Sequence, residues 1–355
     1  MLRSRSRYAR GSHVVPDREN MPRPPAGGWP PPRPAWQPQQ VPPSPPSPHV
    51  PPRHAPLPQQ PARQQKPRPD SGWRRLVHRL TFGLVNPGPS ADQRRQAELT
   101  AVVRAPFRGP LKIGVLGKGG VGKTSVAASI GSIFAEQRPS DRVVAIDADT
   151  AFGRLASRID PRVQGSYWEL ANDRNLHTFS DLQRRLGHNA TGLYVLAGEH
   201  PTTRRRVLDP AVYRETARRL DRHFTISVID CGSTMDAPVT QEALSDLDAL
   251  IVVSSPWADG AAAAAQTMEW LANHGRGELL RRTVVVLNDS DGHSDKKTRS
   301  SLAYQFTSRG QVVVEVPFDP HLRPGGVIDV AGEMSPTVKS RFMEIAAAIA
   351  RHVVR

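Results

Sequence analysis

The sequence predicts a doubly wound α/β domain with a mostly parallel sheet, preceded by a disordered, proline-rich tail. Three observations predict it. Apolar runs of strand length recur from residue 111 onward, separated by segments of helical periodicity, as expected of strands buried on both faces of a parallel sheet. The first run leads directly into a glycine-rich loop and a helix, an order that places a ligand at the carboxyl end of a strand. Residues 1–70 hold 21 of the chain's 35 prolines. Proline fixes φ and removes the N–H, so that stretch builds neither a ladder nor a helix.

Taken in order, residues 1–72 form the tail. Its apolar content is too low to offset ordering entropy. Runs such as Pro42-Pro43-Ser44-Pro45-Pro46-Ser47-Pro48 favour extended polyproline II, which serves either as a spacer or as a docking segment for a partner. Residues 73–108 read as an amphipathic helical linker. Trp73, Leu76, Val77, Leu80 and Leu84 follow helical spacing with Arg74, Arg75, His78 and Arg79 mainly opposite. Such a helix packs back on the domain behind it, or lies on an anionic membrane or a partner. A second short helix is predicted over 92–104.

The domain proper is assigned to 109–355. Its predicted strands are 111–116, 142–147, 193–196, 226–230, 250–254, 283–288 and 312–316, and its predicted helices include 124–136, 260–273 and 294–308. Val338, Phe342, Ile345, Ile349 and Val353 form one apolar stripe and predict a closing helix.

The most informative stretch is Gly117-Lys118-Gly119-Gly120-Val121-Gly122-Lys123-Thr124-Ser125. It fits G-x-x-x-x-G-K-[ST], the loop that cradles nucleotide phosphates. The glycines let the backbone curl so that successive N–H groups face a phosphate. Lys123 reaches the β/γ oxygens and the Thr124 hydroxyl ligates Mg²⁺. The phosphate then sits at a helix N-terminus, where the partial positive charge favours it. The alternative, a glycine-rich turn with no ligand, does not explain why strand, loop, Lys-Thr and helix stand in the required order.

Charge and composition narrow the function classes. Formal net charge is +15, yet residues 1–110 carry 18 Lys and Arg against 5 Asp and Glu, leaving 30 against 28 in the rest. The basic character belongs to the N-terminal region, which argues against a basic DNA-binding face on the domain. Cys231 is the one cysteine; it excludes an intramolecular disulfide and a cysteine-held iron–sulfur cluster, and reads as a small buried apolar residue. No secretory signal follows the basic start, and no apolar run reaches the ~18 residues of a spanning helix. The expectation is a cytoplasmic protein, at most peripheral to the inner face of a membrane.

Lys118, early in the loop, is not needed by an ordinary phosphate loop. With it, K-G-G-V-G-K-T resembles the deviant Walker A loop of the MinD/ParA family, P-loop NTPases of the SIMIBI type. The resemblance implies an ATPase that closes as a nucleotide-dependent homodimer, with Lys118 touching the partner's phosphates. Charge complementarity to a polyphosphate within one chain also accounts for it.

Further positions extend the likeness over roughly residues 73–355. Asp147-Ala148-Asp149 closes the second predicted strand, where the family has Asp-x-Asp. By resemblance Asp149 orients the attacking water and Asp147 assists near the metal. Ile226-Ser227-Val228-Ile229-Asp230 looks like Walker B, implying that Asp230 binds Mg²⁺ through a water. Asn288 ends a strand where relatives use an Asn on adenine. Pro317 and Asp319 fall where the family's last loop wraps the base. N-K-x-D, the guanine signature, is absent from Asn288-Asp289-Ser290-Asp291, so ATP is the expected nucleotide. Gly232-Ser233-Thr234 stands where many relatives have a proline, which leaves γ-phosphate sensing at that turn open.

Within the family the pattern resembles the EspI-like ATPases encoded with actinobacterial type VII (ESX) secretion systems. The shared features are the basic Pro-rich tail, Asp230-Cys231-Gly232, Ala258-Asp259-Gly260, Glu269-Trp270-Leu271 and Val316-Pro317-Phe318-Asp319-Pro320-His321-Leu322. One departure is Asp149, where that group more commonly has Asn. The implied partner is a secretion component met by the tail. A ParA-like DNA-partition ATPase and a nucleotide-gated scaffold with little hydrolysis are the competing readings. A MinD-type membrane tail after the last helix and a C-terminal tyrosine cluster of bacterial tyrosine kinases are both missing from the pattern.

Overall fold

The computed structural model describes residues 89–149, 153–163, 165–198 and 208–354. The tail 1–72 and the amphipathic segment 73–86 lie outside the described residues. The chain divides into two units, and all described residues belong to the second, Gln65–Arg355.

Eight described strands form one sheet: β1 (Leu111–Gly117), β2 (Val143–Ala148), β3 (Gly187–His188), β4 (Leu193–Leu196), β5 (Ile226–Cys231), β6 (Ala249–Ser254), β7 (Thr283–Asn288) and β8 (Val312–Val316). Their spatial order is β3-β4-β2-β5-β1-β6-β7-β8. Every pairing is parallel except β3 with β4. The expected doubly wound fold is therefore present. Strands β2, β5, β6 and β7 are buried at every residue, which is why their sequences are continuous apolar runs rather than alternations. The edge strand β8 relaxes this rule, and Val312 there is 43% exposed. Strand β3 escapes sequence reading because two residues carry no period.

Eleven described helices flank the sheet: α1 (Ala91–Arg104), α2 (Lys123–Gln137), α3 (Leu155–Ile159), α4 (Tyr167–Asn172), α5 (Phe179–Gln183), α6 (Pro210–Leu220), α7 (Pro238–Leu244), α8 (Ala258–Asn273), α9 (Gly277–Arg281), α10 (Lys296–Thr307) and α11 (Pro336–Ala350). One apolar cluster gathers residues of α1, α2 and α11 with side chains from one sheet face; a second gathers residues of α6 to α10 with the other face.

Helix α1 starts in a capping box, with Ser90 and Gln93 satisfying each other's backbone N–H. Its Leu99 and Val103 join the core, and Arg138 donates to the carbonyls of Val103 and Ala105 at 2.7 Å. The core thus includes residues before position 109. The closing helix begins at Pro336, because the Ser335 side chain caps it and a proline at its first position costs no hydrogen bond. It ends at Ala350, and Val353, beyond it, still packs on the core.

Strand β1 lies between β5 and β6, whereas its successor β2 lies beyond β5. Chain direction across the sheet reverses at this point. A crevice opens at the carboxyl end of β1, and the glycine-rich loop occupies it.

Candidate nucleotide site

The loop 117–122 joins β1 to α2. Gly122 caps α2 with φ 93°, a left-handed conformation that L side chains rarely adopt. A Cβ there would stand 2.5 Å from Nδ2 of Asn288. Because Gly122 offers no side-chain cap, the first N–H groups of α2 point outward for an anion. Gly117, Gly119, Gly120 and Val121 shape the approach to this helix end; Gly120 also has positive φ.

Lys123 is buried on the first turn, and its Nζ lies 3.4 Å from the Lys118 carbonyl. Behind it stands Asp230, buried at the end of β5. Neither Asp230 carboxylate oxygen has a hydrogen-bond partner among the described residues. Burial pushes this carboxyl up to about 6. The Thr124 hydroxyl and the Lys123 ammonium pull in the opposite direction, the hydroxyl without completing a sound hydrogen bond to it.

Asp147 is paired in register with Asp230 across β2 and β5. Burial, then the Asp230 charge, push it up to about 8. Its oxygens accept from the backbone N–H of Asp149 at 3.2 Å and of Leu155 at 3.0 Å. A Cβ on Gly153 would meet that carboxylate at 2.4 Å. Asp147 therefore fixes the backbone at both Asp149 and Leu155, and the Asp149 carboxylate lies beside Gly232 at the end of β5.

A cleft of about 310 Å³ runs from the loop along the carboxyl ends of β7 and β8, lined by Thr124, Ser125, Asn288, Pro317 and Asp319 among others. Asn288 donates from Nδ2 to the Val121 carbonyl at 2.9 Å, bracing the loop from the cleft side. Asp319 accepts from the N–H groups of His321 at 3.0 Å and Ser335 at 2.9 Å, tying the loop after β8 to the cap of α11. Lys118 is about half-exposed and pairs with Asp259 on α8 at 2.7 Å.

The arrangement thus brings Lys123, Thr124, Asp147, Asp149 and Asp230 together beside a polar cleft. The residues fit Mg²⁺ and a nucleotide. Mg²⁺ keeps most of its waters and takes phosphate oxygens plus one or two protein oxygens, so a hydroxyl and a buried, unpartnered carboxylate suffice. No cage of three or more His, Cys, Asp or Glu occurs among the described residues. Nor is any described helix long and apolar enough to cross a membrane. A larger surface cleft of about 790 Å³ beside Trp168 lacks a glycine loop, and its rim cations are engaged by Asp181 and Asp173.

Sequence reading missed Arg158, Asp259 and Phe318 as site residues. Arg158 is buried and donates to the Ser125 hydroxyl at 2.8 Å; Phe318, 37% exposed, lines the cleft. No motif marks Arg158, whereas Asp259 and Phe318 lie inside stretches quoted for the resemblance.

Replacing Asp230 by asparagine is expected to stabilise the empty protein at neutral pH, on the order of 3 kcal/mol, since a carboxyl raised from 3.8 to about 6 differs by about 1.4 kcal/mol for each pKa unit. A carboxyl raised on folding binds its proton more tightly in the folded state, so stability from this group is present at low pH and falls as pH rises through about 6. Thermal melts at several pH values check this: the Asn variant loses that slope, and Mg²⁺ no longer tightens its nucleotide binding.

Comparison with known proteins agrees. Residues 114–324 match the family model described as the CobQ/CobB/MinD/ParA nucleotide binding domain. Over 282 residues the chain is 33% identical to the ESX-1 secretion-associated protein EspI of Mycobacterium tuberculosis, covering 78% of this chain and 42% of that protein. The chain thus spans about two-fifths of that relative's length. Among solved structures, a ParA family ATPase from Chlorobium tepidum superposes with a TM-score of 0.55 at 20% identity, covering 67% of this chain and 98% of that one. The cell division ATPase MinD of Pyrococcus furiosus gives 0.53 at 20% identity, covering 68% and 99%. With the glycine loop at the switch point of a doubly wound sheet, and a family match across most of the described domain, the chain belongs to the MinD/ParA family of nucleotide-binding proteins and is related to EspI.

Proposed function

We propose that the chain is a Mg²⁺-dependent ATPase switch that closes as a homodimer around ATP, hydrolyses it slowly, and supports type VII (ESX) protein secretion. The observation that carries the reading is a buried Lys123 on the phosphate loop beside an unpartnered, buried Asp230. Bound Mg²⁺ would neutralise charge on the β and γ phosphates. The residues that would hold it are Thr124 directly and Asp230 through a water, with Asp147 behind them.

Loop N–H groups from Gly117 to Ser125 orient the phosphates, and Lys123 supplies charge to the transferring group. Asp149, whose backbone N–H donates to Asp147, orients the attacking water and accepts its proton. Asn288, Pro317 and Asp319 shape the base end of the cleft. Lys118 reaches the nucleotide of the second copy. The secretion role rests on the likeness to EspI, described as ESX-1 secretion-associated, and the near-neutral charge of residues 111–355 supports it over DNA partition. The reading places the protein in the cytoplasm, with peripheral contact at the membrane where a secretion partner resides.

Phosphate release from Mg·ATP by the purified chain tests the enzyme reading; binding without release would leave a nucleotide-gated scaffold. Deleting residues 1–72 is expected to leave ATP turnover within about twofold while stopping secretion of cognate substrates, because a polyproline segment docks with little entropy left to lose. Strong, salt-sensitive, ATP-dependent DNA binding by residues 73–355 would favour partition instead.

A further inference from the structure

Arg158 lies on α3, and the residue as a whole is 5% exposed. It donates to the Ser125 hydroxyl at 2.8 Å, the Leu322 carbonyl at 2.7 Å and the Gly326 carbonyl at 2.9 Å. Its own carbonyl accepts from the Ile328 N–H at 2.9 Å. One residue therefore holds the first turn of the phosphate-loop helix with its side chain and grips segment 322–328 with both side chain and backbone.

All three acceptors are neutral. Arg158 makes no ion pair among the described residues, although burial disfavours its charge. The nearby carboxylates are engaged elsewhere. Asp160 serves Arg162 and the His188 N–H; Asp289 serves the Gly292 N–H and the Ser294 hydroxyl, with Arg299 beside it; Asp319 serves His321 and Ser335. Arg154 and Arg323 line the same cleft and likewise have no ion pair among the described residues. A buried cation without a counter-ion is costly unless a ligand supplies one, and this one stands beside a loop built for polyphosphate.

We infer that Arg158 is a positioning residue whose counter-ion is the nucleotide's polyphosphate, and that through Ser125 it couples occupancy of the phosphate loop to ordering of segment 322–328 along the base side of the cleft. This rests on the ATP-binding reading above. A planar fork suits the task because it serves three acceptors at fixed angles, which an ammonium on a flexible stem does not. The charge governs affinity, and the fork governs the order of the segment.

The test uses the full chain with Arg158→Met, which removes the charge, and Arg158→Lys, which keeps it and removes the fork. Mg·ATP affinity is read by calorimetry, and the amide exchange of residues 322–328 with and without saturating Mg·ATP by mass spectrometry. Wild type is expected to gain protection in that segment on binding. Arg158→Met is expected to bind at least about tenfold more weakly, as for loss of a hydrogen bond to a charged group, and to gain no protection at saturation. Arg158→Lys recovers most of the affinity without the protection, which keeps the test open should the Met variant fail to fold. A purely structural role would lower the melting point while leaving affinity and ATP-induced protection intact, and that result overturns the inference. Wild type that binds Mg·ATP without protecting 322–328 overturns it too. Wild type that does not bind Mg·ATP overturns the ATPase reading itself, a separate and recognisable failure.

Discussion

Replacing Lys123 by alanine is expected to weaken Mg·ATP binding by about 100-fold or more, which in practice abolishes it. The side chain is buried at the start of α2, so its ammonium meets phosphate with little water between them. Charge-assisted hydrogen bonds of this kind contribute roughly 1.5–3 kcal/mol each, and in the proposed site Lys123 makes more than one to the β and γ oxygens. Asp149→Ala is the matched contrast. Its carboxylate lies beside Gly232 rather than on the loop, so binding is expected to stay within about threefold while turnover falls by ~10²-fold or more, the usual contribution of a positioned general base. Calorimetry with Mg·ATP and single-turnover phosphate release separate the two effects. Equal affinity in wild type and Lys123→Ala would end the phosphate-loop assignment.

Lys118→Ala is expected to lose the nucleotide-dependent dimer and with it about 10³-fold in turnover, the scale on which a cation supplied in trans acts on a transferring phosphoryl group. In this structure Lys118 pairs with Asp259 of its own chain, and both side chains are substantially exposed. Exposed pairs contribute little net stability, so exchanging Asp259 for a polyphosphate across a dimer costs little. The exposed pair keeps the lysine at the mouth of the site without committing it. Sedimentation velocity with a non-hydrolysable ATP analogue reads the outcome directly. Wild type that remains monomeric under saturating analogue would count decisively against the dimer.

Much of the fold was legible because parallel strands covered on both faces must be apolar throughout. Every predicted strand is present in the structure, displaced at its ends by at most a residue or two. Boundaries were less legible where a cap decided them, as Ser335 and Pro336 do for α11. Strand β3 and the short helices α3 to α5 were not readable, since two to six residues span too little of a period to be distinguished from a loop. For the site, the distinction is one of range. The glycine-rich loop is nine contiguous residues, so the binding chemistry proposed for it is written in one local stretch.

Asn288 and Asp319 show where local reading stops. Their positions were identified, but only the packed chain reveals that Asn288 donates to Val121 and that Asp319 ties two segments together. Arg158 carries no signal of its own, because an arginine among many becomes special only when burial removes its water and leaves it no carboxylate among the described residues. By itself the sequence determined a doubly wound domain with a glycine-rich loop leading into a helix, since both follow from periodicity and short-range geometry. The tertiary structure alone decided which charges lack partners, which loops are tied together and where Lys118 rests, because those depend on contacts between residues far apart in the chain.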